Sequence, residues 1–134
     1  MHIDPLHPKG WAAAKGYSNG MLVEGASRLI FVAGQIAWDA DQKMVGVGDF
    51  PAQFRQAMTN VIEVVKAGGG LPEEIVRLTM YVTDKRLYLD NLKEVGAAYR
   101  DTIGRHYPAM ALVQVAALVE DDALIEIEAT AALK

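Results

Sequence analysis

Two glutamates near the C-terminal end of the chain, Glu126 and Glu128, have a residue type and spacing that could support acid–base chemistry. Between positions 125 and 130, apolar residues alternate strictly with polar ones, which predicts a β-strand with one apolar and one polar face. Both carboxylates then project from the same face, roughly 7 Å apart. That face is either solvated or lines a pocket, and the alternation alone favours the solvated interpretation for each glutamate.

Other catalytic and metal-binding chemistries find little support among the remaining polar residues. The chain has no cysteine, which excludes disulfides, thiolate zinc sites and cysteine nucleophiles. Its three histidines, His2, His7 and His106, lack the spacing of metal ligands, so we predict no metal site. His106 is either a proton donor in a pocket or, as is more common, a surface loop residue. Ser18 and Ser27 have no G-x-S-x-G context, which argues against a serine hydrolase.

The composition limits the partners that the chain can have. At 134 residues we expect a single domain, 1–134, with a core of its own. A net charge of −4 without a Lys/Arg cluster is unfavourable for nucleic-acid binding, which needs concentrated positive charge. No apolar run approaches the ~20 residues of a membrane span, and the N-terminus lacks the apolar core of a signal peptide. We therefore expect a cytoplasmic protein with neither a membrane nor a nucleic acid as partner.

The elements that must position the two glutamates follow from hydrophobic periodicity and turn residues. Residues 1–15 contain Pro5, Pro8 and Gly10, which predicts an irregular arm. Segments 17–24 and 28–33 are predicted strands that form a hairpin. Asp49 and Pro51 are typical of a helix start, and the helix that follows ends at the glycines 68–70.

The second half of the chain is predicted to contain a strand at 75–82, a helix over 85–103 and strands within 107–118 and 124–131. Gly96 lies inside that second helix. Because an interior glycine costs about 1 kcal/mol relative to alanine, it suggests close approach of another backbone or a ligand.

The order β-β-α-β-α-β-β predicts an α+β fold, with one mixed sheet of five to six strands and two helices packed on one face. Two helices cannot cover both sheet faces, yet the strands carry apolar residues on both, for example Leu29 and Phe31 against Ile30 and Val32. An exposed apolar face of that size is unusual in a monomer. We therefore expect a homo-oligomer whose sheets pack together.

Several blocks of the sequence resemble the Rid (reactive intermediate deaminase, YjgF-type) family. They cover residues ~16–131 in the family's order, and the most specific is the block with Tyr-Pro-Ala at 107–109 and Ile-Glu-Ile-Glu-Ala at 125–129. The other matching blocks are 16–20, 31–36, 60–69 and 75–84.

The resemblance implies a chorismate-mutase-like fold and a homotrimer with a small-molecule cleft at each subunit interface. In the best-known branch, the implied activity is hydrolysis of short-lived enamines and imines to keto acids and ammonia, without a cofactor. Position by position, Glu126 corresponds to the glutamate thought to hold or activate water. Tyr17 corresponds to the cleft tyrosine, and Gly34, preceded by Ala33, to the cleft glycine.

The chain departs from the family pattern at three positions of the implied cleft. The substrate-binding arginine that should follow Pro108-Ala109 is Met110, the family's cysteine is Leu112, and a cleft asparagine aligns with Gly96. Loss of an arginine removes charge-assisted hydrogen bonds of roughly 1.5–3 kcal/mol each, and methionine makes the cleft more apolar and adaptable. One hypothesis is that Arg105 or His106 supplies a displaced cation.

Two functions follow from this pattern. The first is a deaminase-like hydrolase of imine, enamine or related conjugated amine substrates, in which Glu126 activates water and Tyr17, Ala33, Gly34, Gly96, Met110 and Leu112 bind the substrate. The second is a non-catalytic trimer that binds a small metabolite, which the loss of the arginine favours. A nuclease or translation inhibitor is disfavoured by the acidic net charge.

Overall fold

The computed structural model describes the whole chain, residues 1–134. Six strands and three α-helices follow one another, with a 3₁₀ turn at Pro72–Glu74 before the fourth strand. They are β1 (His2–Leu6), β2 (Gly20–Glu24), β3 (Arg28–Gln35), α1 (Phe50–Ala67), β4 (Ile75–Val82), α2 (Lys85–Leu89), α3 (Leu92–Thr102), β5 (Ala109–Gln114) and β6 (Ile125–Leu133).

A four-stranded mixed sheet in the order β3-β6-β4-β5 is the centre of the fold. Strands β4 and β5 are parallel, and the other neighbours are antiparallel. The predicted alternation in β6 is confirmed, because Ile125, Ile127 and Ala129 are buried whereas Glu126 and Glu128 are half-buried. The predicted α+β class with a mixed sheet is therefore correct, but the six strands form this four-stranded sheet and a separate β1–β2 pair instead of one sheet of five to six strands.

Helix α1 forms where the sequence predicts it, for local reasons. The Asp49 carboxylate accepts a hydrogen bond from the Ala52 N–H at 3.2 Å, which caps the first turn, and Pro51 follows at a position that needs no N–H donor. The helix ends at Gly68, whose N–H donates to the Val64 and Val65 carbonyls. Its buried side chains, Phe54 among them, pack on the sheet.

The predicted helix over 85–103 is two helices instead of one, with a break at Asp90 and Asn91. Asp84 caps α2 by accepting from the Arg86 N–H at 2.9 Å. The Asn91 side-chain amide donates back to the Leu87 carbonyl at 2.6 Å. Short polar side chains that bond to nearby backbone compete with helical continuation, and this break makes three helices where two were expected.

The prediction of an irregular N-terminal arm and of a hairpin between the second and third strands is wrong. Strand β1 lies within that arm and pairs antiparallel with β2, with Ile3 opposite Val23. The segment before β2 is held at β5, because the Ser18 N–H donates to the Pro108 carbonyl at 3.1 Å. Strand β2 therefore pairs with β1 and not with β3, whose partner is β6.

The two faces of the four-stranded sheet differ in cover. The face toward the helices forms the apolar core, with side chains such as Phe54, Leu78 and Ile127 at 0–1 % exposure. We name the other the open face. On it Phe31 is 74 % exposed and Leu29 58 % exposed. None of the helices is both long and apolar enough to cross a membrane.

Candidate active site

Glu126 lies on the open face, where β6 meets the end of β3. A Cβ atom placed on Gly34 would come within 2.7 Å of the Glu126 Cδ, so only glycine leaves room for this carboxylate. The pairing of β3 with β6 shifts register between Val32 and Gln35, which is where Gly34 lies. The close packing of Glu126 against the β3 backbone therefore depends on Gly34. Ala33, the preceding residue, is exposed.

A cavity of about 360 Å³ contains Glu126 and Gly34. Its other lining residues come from the end of β3, from the loop that follows it and from the loop before β6: Gln35, Ile36, Trp38, Gln42, Val119 and Glu120. Glu126 forms no ion pair within the chain. Its carboxylate is therefore available to a ligand or a water molecule that enters this cavity.

Glu128, two residues along the same face, is already engaged. It accepts a hydrogen bond from the Tyr81 hydroxyl at 2.8 Å. This bond raises the pKa of Tyr81, with smaller contributions from desolvation and from the charges of Glu128 and Glu126, whereas Arg77 lowers it. The two glutamates thus differ in their environment, and Glu126 is the one left without such a partner.

Met110, Leu112 and Gly96 lie together in a second cavity of about 190 Å³ on the helix side of the sheet. Of its twelve lining residues nine are hydrophobic, and the remainder of the lining is Gly16, Phe54, Met80, Tyr88, Leu92, Val95, Tyr99, Arg100 and Tyr107. We name this space the helix-side pocket. Its position follows from strand pairing, because Met110 lies opposite the buried Leu78 in the β4–β5 register.

One end of the helix-side pocket is built from two tyrosines. The rings of Tyr99 and Tyr107 stack with their centroids 5.3 Å apart. The Tyr99 hydroxyl donates to the His106 carbonyl. Burial raises the pKa of Tyr99 well above its ordinary value, and the neighbouring Tyr107 adds to the effect. Tyr99 is therefore a neutral, structurally engaged side chain across the physiological pH range.

Tyr17 lies near Met110 and away from Glu126. It is 43 % exposed and lines a third cavity, of about 290 Å³, with Ser18, Asn19, Ala109, Met110, Ala111 and Arg77. The Ser18 hydroxyl donates to the Tyr107 carbonyl at 2.6 Å, which fixes the segment that carries Tyr17. Sequence reasoning gave no role to Arg77.

Within one chain, the sheet separates the predicted site residues into two groups. Glu126 and Gly34 are on the open face, whereas Met110 and Leu112 face the helices and Gly96 lies in α3. The register makes the separation plain, since Tyr81 pairs with Glu126 on one side while its neighbour Met80 pairs with Leu112 on the other. A single cleft that contains both groups is not formed by one chain alone.

The hypothesis that Arg105 or His106 replaces the missing arginine is not supported. The His106 Nε2–H donates to the Ile75 carbonyl at 2.6 Å, so the ring links a loop to β4. Neither residue lines the cavities that contain Met110 or Glu126. The cation that does line the helix-side pocket is Arg100, which sequence reasoning missed. The available signal was its spacing, one helical turn after Gly96.

The architecture places the chain among the α+β proteins of chorismate-mutase-like fold. The family model described as Endoribonuclease L-PSP matches residues 8–133. The chain belongs to this family, which includes the Rid, YjgF and RutC proteins.

Three relatives illustrate the similarity. The 2-iminobutanoate/2-iminopropanoate deaminase of Bos taurus is 32 % identical over 123 residues, which is 92 % of this chain and 84 % of the bovine protein. The crystal structure of YyfB from Yersinia pestis, a Rid-family protein of unknown function, has a TM-score of 0.87 at 32 % identity and covers 99 % of this chain and 100 % of YyfB. That of Escherichia coli TdcF with bound serine has a TM-score of 0.67 at 28 % identity and 91 % coverage of each chain.

Proposed function

We propose that this protein is a small-molecule hydrolase that releases ammonia from imine, enamine or related conjugated amine substrates. The observation that carries the proposal is the placement of Glu126, a half-buried carboxylate without an ion-pair partner, packed on Gly34 at the wall of a cavity. Relatives that are 32 % identical are imine deaminases by name. Both features point to a carboxylate that acts on water beside a bound C=N group.

The proposed step needs only water and one proton carrier. The Glu126 carboxylate accepts a proton from water as the water oxygen bonds to the imine carbon. It then returns that proton to the nitrogen, which gives a carbinolamine. In a second transfer Glu126 takes the hydroxyl proton of the carbinolamine and passes it to the amine nitrogen as the C–N bond breaks and the C=O bond forms, so the products are a carbonyl compound and ammonia. An enamine first tautomerises to its imine. A positioned carboxylate base contributes typically ~10²–10⁴-fold to such a step, and no cofactor enters the balance.

We propose further that the active form is a homotrimer with clefts between subunits. The open face exposes Leu29 and Phe31, an arrangement that a second chain would cover. Since one chain holds Met110 and Glu126 on opposite sheet faces, a cleft that uses both must combine residues of two chains.

The trimer proposal is tested by light scattering at micromolar concentration, where we expect three times the chain mass. Phe31→Asp, which places a charge in the open face, should give monomers. A wild-type monomer would contradict both the assembly and the interface cleft.

The substrate is proposed to be longer and more apolar than 2-iminobutanoate. Met110 and Leu112 line the helix-side pocket with flexible and branched apolar side chains where an arginine and a cysteine are implied by the family pattern. An aminated, more extended acid of the aminomuconate kind has the required length.

The hydrolase proposal is tested by ammonia release from a panel of imines and enamines generated in the assay, from 2-iminobutanoate to longer conjugated amines. We expect turnover of at least one member, and a loss of about 10²–10⁴-fold in kcat for Glu126→Gln. Glu128→Gln is the matched control, because it changes the same group two residues along the same strand, and it should cost less than tenfold. No release above background from the whole panel, together with no effect of Glu126→Gln, would end the enzymatic proposal.

The second candidate is a non-catalytic trimer that binds a small metabolite. It is favoured by one observation, the methionine at position 110 of a pocket that is otherwise shaped to receive a ligand. Binding of the panel's product acids in a thermal-shift experiment, with no ammonia release from the corresponding amines, would select this function over the hydrolase.

A further inference from the structure

Arg100 is the only charged residue that lines the helix-side pocket. It lies in α3, one turn after Gly96, with an exposed side chain. It takes part in none of the four ion pairs of the chain, although its neighbour Asp101 pairs with Arg55 at 3.0 Å. A guanidinium without a carboxylate partner therefore stands at the edge of an apolar cavity.

Gly96 makes the position of this guanidinium possible. A Cβ atom at position 96 would lie 3.2 Å from Arg100 Nη1, closer than ordinary van der Waals contact. The glycine lets the guanidinium lie over the helix backbone and toward the pocket. Gly96 thus has a role that its place inside a helix does not otherwise explain, because glycine is a weak helix former.

We propose that Arg100 binds the carboxylate of a small acid whose apolar part lies against Met110 and Leu112. The cation that the family pattern implies at position 110 of β5 is then supplied from α3, across the same cavity. A planar guanidinium can bind both oxygens of a carboxylate at once, and the mostly hydrophobic lining accepts a hydrocarbon chain. The class of ligand, an amine-derived acid or its keto-acid product, rests on the proposed function.

Arg77 is the rival cation, since it shares the third cavity with Met110. In the sheet register Arg77 pairs with Ala109 on β5 and Thr130 on β6, so it projects from the open face. It is therefore on the opposite side of the sheet from the pocket that Met110 and Leu112 enter. Arg100 is the cation that shares a cavity with Met110, Leu112 and Gly96 together.

The test is a binding experiment that needs no turnover. The affinities of 2-oxobutanoate and 2-oxohexanoate, and of their neutral amides, are measured by calorimetry on the intact protein and its variants. We expect the wild type to prefer each acid over its amide, and the longer acid by about fourfold per methylene group. Arg100→Met should weaken acid binding about ten- to hundredfold and leave the amides unchanged.

Three further variants separate a binding role from a structural one. Arg105→Met removes the same charge from an exposed loop outside the pocket and should alter acid affinity less than twofold. Arg100→Lys keeps the charge without the planar fork and should give an intermediate affinity. In the Arg100→Met background, Met110→Arg should restore acid binding, because it returns a guanidinium to the same cavity from the strand side.

Several results would overturn the proposal. One is an unchanged acid affinity in Arg100→Met, and another is an equal loss of affinity for the acids and for the amides in that variant. The others are a loss of acid affinity in Arg77→Met in place of Arg100→Met, and no acid binding by the wild type at millimolar concentration. The assay is independent of Glu126 chemistry. A protein that binds acids through Arg100 but releases no ammonia would contradict the hydrolase alone, whereas ammonia release that is insensitive to Arg100→Met, with unchanged KM, would contradict this inference alone.

Discussion

The two faces of the four-stranded sheet are built from the same strands yet are completed in different ways. On the helix side, Leu78, Ile127 and their neighbours are enclosed by α1 and α3, and the apolar surface that stays open is that of the helix-side pocket. On the open face, Leu29 and Phe31 remain exposed beside polar side chains. The chain alone finishes the first face, whereas the second is suited to contact with another chain.

The polar side chains of the two faces also differ in their burial and in their hydrogen-bond partners. Gln53, on the helix side, is fully buried and bonded to the backbone at three points. The Tyr81–Glu128 pair on the open face is half-buried and bonded side chain to side chain. The buried bonds on the helix side therefore stabilise the fold. On the open face the carboxylates, that of Glu126 in particular, stay accessible to a ligand.

The largest expected effect contrasts two phenylalanines. Phe54→Ala removes a side chain that is 1 % exposed and leaves a cavity in the core, so the free energy of unfolding should fall by about 3–5 kcal/mol. Phe31→Ala removes the same side chain from the open face. If the proposed assembly covers this face, its effect should be smaller and should depend on protein concentration.

Urea denaturation of both variants at two protein concentrations checks this contrast. Equal losses that do not vary with concentration would show that the two faces are not different in kind, and would remove the main argument for a partner on the open face.

A smaller effect is expected for the buried amide of Gln53. Its Nε2 donates to the Gly46 and Asp122 carbonyls at 3.1 and 2.9 Å, and its Oε1 accepts from the Leu124 N–H at 2.8 Å. Gln53→Leu leaves these groups without partners and should cost about 1–3 kcal/mol. Gln56→Leu, at a half-buried position of the same helix, should cost less than about 1 kcal/mol. Thermal denaturation distinguishes them, and a Gln53→Leu variant as stable as the wild type would contradict the buried network.

The structural features that were predicted correctly are those determined by residues close together in the sequence. The α1 boundaries follow from a cap at Asp49 and a glycine stop, and the alternation in β6 is visible in six consecutive residues. The β1–β2 pairing was missed because Pro5, the fourth of the five residues of β1, is unusual in a strand, and because the pairing joins residues that are far apart in the sequence. The break between α2 and α3 was missed because the apolar period continues across Asn91, while the side chain's bond to Leu87 interrupts the helix.

The candidate site shows the same limit. The resemblance nominated Glu126 and Met110, but the register of β5 and β6 against β4 places them on opposite faces, and that register depends on long-range pairing. Arg100 was missed because one arginine on an exposed helix face resembles any other in sequence. Only the approach of its guanidinium to Gly96 sets it apart.

The contact between Gly34 and Glu126 on the open face gives a prediction about activity. A substitution of Gly34 should change activity with little effect on stability. In Gly34→Ala the new Cβ would come within 2.7–2.9 Å of three Glu126 atoms, so the carboxylate must move. Displacement of a catalytic group by about 1 Å can cost up to ~10²-fold, and we expect kcat for ammonia release to fall about ten- to hundredfold. In Gly20→Ala, the matched control, the new Cβ would meet Leu6 at an ordinary 3.5 Å, and kcat should not change. Full activity in Gly34→Ala would argue that Glu126 is not held in a working position by this contact.

The smallest expected effect concerns the Tyr81–Glu128 pair, a half-buried hydrogen bond on the open face. The hydrogen bond to Glu128 raises the pKa of Tyr81 above its ordinary value, so Glu128→Gln should bring that pKa back toward ~10, as measured by NMR titration of labelled tyrosine. Because the folded-state pKa is raised, the pair's contribution to stability is complete below the unfolded-state pKa. It is lost as the pH rises through the folded-state pKa, and Glu128→Gln should lack this alkaline decline. If the pKa of Tyr81 were the same in both proteins, the bond would be too solvated to hold Glu128. The difference between the two glutamates, one engaged and one available, would then not rest on this hydrogen bond.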